Sequence, residues 1–278
     1  MQEHRPSKDI LSFRLSNGVG YWAPVDIPQP DRLVCAFSSR QGGISEGSFA
    51  SLNLGLHVGD QLDRVLANRA RFSQVLGMDL SHWITAEQVH GCHVAVVGRE
   101  QRGLGAFSQD TAISRTDGLV TRDEGVWLVC HYADCVPLVF WDMRGRAVGV
   151  AHAGWRGTLA SIGLATVEVM ARHLGSEPKD LYVLIGPAIG VCCYSVGEDV
   201  AAVFRERFDG EFLCQYGDRV HLDLRAVNRE LLIKGGIPPD QILVSRLCTA
   251  CQPDLCFSHR RDKSPTGRMV GIVGLRER

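Results

Sequence analysis

The stretch VWLVCHYADCVPLVFWDMRGRAVGVAHAGWRG, residues 126–157, decides the fold. Two apolar runs rich in β-branched and aromatic residues, Val126–Cys130 and Leu138–Trp141, flank the break Ala133–Pro137, and both read as strands. Asp142-Met143-Arg144-Gly145 reads as the turn of a hairpin leading into a third strand, Ala147–Ala151. A hairpin implies at least one antiparallel pair. Beyond the glycines of 154 and 157, a helix is predicted from a hydroxyl cap at Thr158 to Leu174, stopped by Gly175.

Working outward, Leu33–Phe37, Val94–Val97, Tyr182–Ile185, Ile242–Ser245 and Met269–Val273 read as further strands. A helix is predicted over Asp60–Leu76, where Leu62, Val65, Leu66, Phe72, Val75 and Leu76 fall close to helical spacing before Gly77. Another is predicted over Asp223–Lys234, from an aspartate cap to Gly235. Strands and helices interleave, so the expectation is an α/β or α+β layered fold with mixed sheets. No stretch reads as a linker. A single domain, residues 31–278, is expected behind an N-terminal extension, residues 1–30.

Composition narrows the function. With 45% hydrophobic residues among 278, the chain can bury a substantial core. Its 30 basic and 31 acidic side chains give a net charge of −1, which argues against a nucleic-acid partner. Met1–Phe13 has no apolar core of a secretory signal. Val126–Trp141 carries His131, Asp134 and Pro137 and is too short and polar to span a membrane. Ten cysteines in a chain without an export signal read as reduced thiols and metal ligands, so a cytoplasmic enzyme is expected.

Three short segments place a metal-capable side chain at a strand end beside glycine, proline or a carboxylate: His90 in Glu87–Gly91, Cys135 in Ala133–Pro137, and His152 in Ala151–Gly157. Two imidazoles and one thiolate suit zinc, and three protein ligands leave a fourth position open for water or substrate. Taken singly, each histidine reads equally well as a hydrogen-bonded structural residue, and Cys135 as a buried inert thiol. The common setting of all three favours the metal reading. Asp134, beside Cys135, reads as an orienter of that site or a proton carrier, and equally as a turn residue.

Anion binding has several candidate segments. The glycine-rich turn His152–Thr158 with Arg156 could present backbone N–H groups to phosphate, or need its glycines for turn geometry alone. Arg40 precedes Gly42-Gly43, and Arg260-Arg261 form a basic cluster followed by Thr266-Gly267-Arg268. Arginines grip phosphate in fork geometry, although such clusters are commonly solvated loop charge, and Asp262 is placed to pair with a neighbouring arginine. Arg40, with at least one of Arg156, Arg260 and Arg261, is expected to face the cavity holding the metal. Cys248 and Cys251, with Cys256 nearby, admit a second zinc or redox site, with a structural or incidental role carrying more weight. Cys192-Cys193 is ambiguous, because adjacent thiols rarely ligate one ion together.

In order along the chain stand FSSRQGG at 37–43, SLNLGLHVGD at 51–60, EQVHG at 87–91, DGLVT at 117–121, ADCVP at 133–137, AHAGWRGT at 151–158, IGPAIG at 185–190 and FSHRRDKSPTGRM at 257–269. This set closely resembles the YfiH/YlmD family, whose members have been called multicopper polyphenol oxidases, laccase-domain proteins and purine nucleoside phosphorylases. The resemblance implies an α/β sandwich with outer helices and a metal triad of His90, Cys135 and His152. It also implies phosphorolysis of adenosine, inosine, guanosine and 5′-methylthioadenosine with inorganic phosphate, and deamination of adenosine. The chain departs from some members in His259, where they carry tyrosine, and in Cys251.

Three other readings compete. A copper-dependent polyphenol oxidase would need paired histidines in H-x-H units, and the ten histidines here form none. Copper therefore stands as the alternative to zinc. A cysteine-dependent amide hydrolase, editing peptidoglycan precursors, would use Cys135 as nucleophile and a histidine as base. A metal-binding interaction protein would turn over no nucleoside.

Overall fold

The structure is a computed structural model describing residues 9–28, 30–144 and 146–277. Strands β1 (Leu11–Ser16) and β2 (Val19–Pro24) form an antiparallel hairpin, and β3 (Leu33–Ser38) follows. Helix α1 (Leu62–Val75) leads to β4 (Trp83–Thr85), β5 (Val94–Val96) and β6 (Gly118–Thr121). The central stretch forms β7 (Trp127–Tyr132), β8 (Val136–Asp142), β9 (Val148–Ala153), α2 (Trp155–Leu159) and α3 (Ile162–Leu174). Then come β10 (Leu181–Ile185), β11 (Ser195–Val196), α4 (Glu198–Arg207), β12 (Leu213–Tyr216) and β13 (Arg219–Leu222). The chain closes with α5 (Leu224–Lys234), β14 (Ile242–Val244), α6 (His259–Asp262) and β15 (Met269–Leu275).

Two six-stranded mixed sheets result, in the orders β1-β2-β3-β15-β7-β4 and β14-β10-β8-β9-β6-β5, with a small sheet β11-β13-β12. The alternation of side chains along each strand sets the layers. On β8, Val139 and Trp141 join Leu128 and Cys130 of β7 in a core between the two large sheets. Val136, Leu138 and Phe140 of β8 point the other way, onto Met170 of α3 and Leu232 of α5. On the outer side of the first sheet, Val129 and Ile272 pack with Phe72 of α1. The fold is thus helix, sheet, sheet, helix. The central strands of both large sheets, such as β7, β8, β9 and β15, are covered on both faces, which is why they read as continuous apolar runs.

The predicted hairpin is β8–β9, registered from Val136 opposite Ala153 to Trp141 opposite Val148. Gly145 of its predicted turn lies outside the described residues. The strand begins at Val136 and takes Pro137 into the pairing, opposite His152, two residues earlier than expected. Residues within the expected N-terminal extension supply β1 and β2 of the first sheet. The helix expected from Thr158 is two helices: Ser161 adopts a left-handed conformation (φ +60°) and breaks the run. Thr158 lies inside α2, where its hydroxyl accepts from Asn228 Nδ2 at 2.9 Å, so it caps nothing. Asp223, by contrast, caps α5 as expected, accepting from the N–H groups of Arg225 and Ala226. Among the described residues no helix is long and apolar enough to cross a membrane.

Two connections carry the chain from the first large sheet to the second: the segment from β4 to β5, and the three residues from β7 to β8. His90 lies on the former and Cys135 on the latter, while His152 lies near the end of β9.

Candidate active site

At these crossings the donor atoms of His90, Cys135 and His152 converge, all within 4.8 Å of one another. They run from a buried His152 through a half-buried Cys135 to an exposed His90. The two imidazoles stand edge to face with centroids 4.7 Å apart. Behind them lies Asp117, which is buried and immediately precedes β6. Its carboxylate accepts from the backbone N–H groups of Val89 (3.2 Å), His90 (3.0 Å) and Gly91 (2.7 Å). One oxygen also lies 2.9 Å from His152 Nδ1, so Nδ1–H donates to it and Nε2 is left for the cavity. His90 itself holds a left-handed conformation (φ +61°), sparsely populated for a residue with a side chain, and the three bonds to Asp117 hold the loop in it.

Electrostatics within the group are reciprocal. Burial pushes the Cys135 thiol up, but His152 and His90 outweigh it and bring it down to about 6. Burial pushes His152 down, but the Cys135 sulfur and Asp117 hold it up at about 9. Burial likewise raises Asp117, but His152 and the loop N–H groups keep it below the usual carboxylate range. Without an ion these shifts describe a thiolate beside an imidazolium; an ion taking the place of the His152 Nε2 proton would meet one thiolate and two imidazoles, the donor chemistry of a borderline-soft divalent ion. Gly154 leaves room for it: a Cβ there would lie 2.9 Å from His90 Cδ2 and 3.0 Å from Cys135 Sγ. The donors present therefore fit one ion.

The group lines a cavity of about 580 Å³. Its walls also carry Gln88, His131, Asp134, Tyr194, Arg260 and Arg268. Gln88 clasps the end of β7, accepting from His131 N and donating to His131 O, both at 2.8 Å. Arg69, fully buried, donates to His131 Nε2 at 2.9 Å. Burial and that neighbouring cation keep His131 neutral. Asp134 has both carboxylate oxygens engaged, by the Thr249 hydroxyl (2.5 Å) and the backbone N–H of Arg260 (2.8 Å).

The arginines sort differently from expectation. Arg260 lines the cavity, with its guanidinium 5.0 Å from the Tyr194 ring centroid and donating to Ser195 O at 2.6 Å. Arg40 does not line it. Its guanidinium donates to Ala50 O and Pro253 O and lies over the Phe257 ring, so it ties loops together. Arg261 pairs with Asp262 and donates to the carbonyls of Thr249, Ala250 and Cys256. Arg156 is exposed and stacks on its neighbour Trp155. The turn it sits in opens the five-residue α2, and none of residues 153–158 lines the cavity. Sequence reasoning missed Gln88, His131 and Tyr194 of the wall, and also Arg268, half-buried there, and Asp117, although the last two each stand in a family motif. The signal for Asp117 was a lone carboxylate ahead of an apolar strand, which says nothing until the loop around His90 meets it.

A layered α/β sandwich with a histidine–thiolate group opening on a cavity of about 580 Å³ has the parts of an enzyme's reaction centre. Residues 34–276 match the family model described as "Multi-copper polyphenol oxidoreductase laccase". The chain is 41% identical to "Purine nucleoside phosphorylase YlmD" of Geobacillus stearothermophilus, over 92% of this chain and 95% of that protein. It is 36% identical to "Adenosine deaminase RL5" of an unknown prokaryotic organism, over 84% of this chain and 90% of that protein. The crystal structure of YlmD from Geobacillus stearothermophilus superposes with a TM-score of 0.92 at 40% identity, covering 97% of this chain and all of that one. The chain belongs to the YfiH/YlmD laccase-domain family.

Proposed function

We propose that this protein is a zinc-dependent purine nucleoside phosphorylase acting on adenosine, inosine, guanosine and 5′-methylthioadenosine, with adenosine deaminase activity. One observation carries the reading: His90, Cys135 and His152 converge on a cavity wall, backed by the buried Asp117. The cavity volume, about 580 Å³, falls within the range that encloses a small-molecule ligand. The names of the relatives, phosphorylase and deaminase, support the two reactions.

In this reading a ring nitrogen of His90, Cys135 Sγ and His152 Nε2 would hold the ion, which would supply Lewis acidity for an oxygen nucleophile. Asp117 fixes the tautomer and aim of His152. Arg260 and Arg268 supply positive charge for the phosphate dianion, in place of Arg40, Arg156 and Arg261. Tyr194 and the neutral His131 offer flat walls and polar edges to a purine. Asp134 positions the segment bearing Arg260 through its two engaged oxygens rather than carrying protons. Two imidazoles and one thiolate favour zinc over a copper cluster, for which the sequence supplies no H-x-H unit.

The test is a nucleoside panel on protein of measured metal content, with and without phosphate, following ribose 1-phosphate and ammonia separately. Phosphate-dependent base release that disappears on chelation and returns with zinc is the expected result. Full turnover after chelation would favour Cys135 as the nucleophile of a hydrolase. No turnover with any nucleoside would end the reading.

A further inference from the structure

The chain carries a second convergence of donors, away from the cavity. The sulfurs of Cys192, Cys193, Cys248 and Cys251 all lie within 4.8 Å of one another. Cys251 Sγ is 3.7 Å from Cys192 Sγ and 3.4 Å from Cys193 Sγ, far beyond a disulfide bond of about 2.05 Å. Four thiolates at about 2.3 Å from one zinc ion stand about 3.8 Å apart, the edge of a tetrahedron. The two spacings from Cys251 are close to that edge and the others lie within 4.8 Å, whereas an iron–sulfur cluster would hold its thiolates farther apart.

The backbone explains how two adjacent cysteines reach one point. After β10 the chain turns tightly at Gly190, whose carbonyl accepts from both Cys193 N and Tyr194 N. Cys248 enters from a bridge pairing with Ala188, and Cys251 N donates to Cys248 O, closing a C-x-x-C turn. Gly190 N donates to Cys248 Sγ at 3.2 Å, a bond that favours the thiolate form. Neighbouring cysteines rarely share an ion; the turn at Gly190 and the partners from a distant segment make it possible here.

We infer that Cys192, Cys193, Cys248 and Cys251 bind a structural zinc ion, distinct from the group on the cavity wall. Four thiolates complete the coordination and leave no open position, so the site performs no chemistry. Its effect is mechanical. It fastens the loop bearing Ile189 and Tyr194 to the loop bearing Thr249. Ile189 and Tyr194 line the cavity, and Thr249 holds Asp134 beside Cys135. Without the ion, the four sulfurs offer these loops only weak thiol contacts, around the exposed Cys192 and Cys251.

The inference does not depend on the nucleoside reading, and its test uses no substrate. Full-length Cys135→Ala protein, purified under reducing, zinc-replete conditions, is predicted to retain one zinc ion per chain. X-ray absorption at the zinc edge should report four sulfur neighbours. After cadmium exchange, the cadmium-113 resonance should lie in the far-downfield all-thiolate range. The Cys192→Ser/Cys251→Ser double variant, with Cys135 intact, should lose that signal and keep the zinc of mixed nitrogen and sulfur ligation. If the double variant fails to fold, the absorption and cadmium spectra of the Cys135→Ala protein still decide. A zinc-free Cys135→Ala protein, a spectrum with nitrogen ligands, or a thiol titration two short because a disulfide has formed would each overturn the inference.

Discussion

Two groups of metal-capable side chains lie in this molecule, and they are built in opposite ways. His90 and Cys135, on the crossings between the large sheets, meet His152 of β9 in a group open to a cavity and braced from behind by one buried carboxylate. The four cysteines line no part of that cavity and converge from two loops. Three donors leave room for a reactant, and four leave none. The contrast teaches that thiol count does not mark a reactive centre. What marks it is an unfilled position in front of the ligands and a rigid hydrogen-bonded support behind them.

The sharpest way to break that contrast is to remove one thiol from the open group. Cys135→Ala should lower both inosine phosphorolysis and adenosine deamination by about a thousandfold or more, equivalent to ~4 kcal/mol of barrier. Losing a single sulfur from a half-buried site should cost stability only ~1 kcal/mol, so the thermal midpoint should move little. Near-normal turnover by a Cys135→Ala protein with no metal at His90 and His152 would refute both the metal and the thiol-nucleophile readings.

Asp117→Asn probes the support. The amide keeps the shape but loses charge and one acceptor, so the loop at His90 and the aim of His152 both suffer. Zinc affinity at this group, read by competition with a chromophoric chelator, should fall about 10–100-fold. A variant with wild-type zinc affinity would mean that the carboxylate is merely a loop staple.

Arginine variants sharpen the comparison further. Arg260→Ala or Arg268→Ala should slow phosphorolysis about tenfold to a hundredfold, and deamination much less, because only the former needs a phosphate dianion. Parallel kinetics with ribose 1-phosphate and ammonia as readouts check this, and equal losses would assign the arginine to nucleoside positioning. The smallest effect belongs to Arg40→Ala. Its hydrogen bonds go to Ala50 O and Pro253 O, so it should cost about 1–3 kcal/mol of stability in a denaturant titration while leaving the ratio of the two activities unchanged.

The sequence announced some of this and concealed the rest for physical reasons. The β8–β9 hairpin was legible because its turn and apolar runs are local signals. That Ala133–Cys135 changes sheets was not, since a break between strands looks the same whether the next strand pairs beside it or lies in the facing layer. β1 escaped notice because its edge sequence LSFRLS faces solvent on much of its surface. His90, Cys135 and His152 stood out because few residue types ligate metals and each sat beside a turn-forming residue. Arg40 misled because an arginine ahead of two glycines looks alike whether it meets phosphate or backbone carbonyls. Cys192 and Cys193 looked incompatible until Cys248 and Cys251, more than fifty residues on, met them at the turn.

One catalytic ion on the cavity wall is tested most directly by anomalous diffraction at the zinc edge from crystals of catalytically active protein. A peak is expected at about 2.0–2.3 Å from a ring nitrogen of His90, Cys135 Sγ and His152 Nε2, with the fourth position facing the cavity. Active crystals with no anomalous density among these three residues would contradict it.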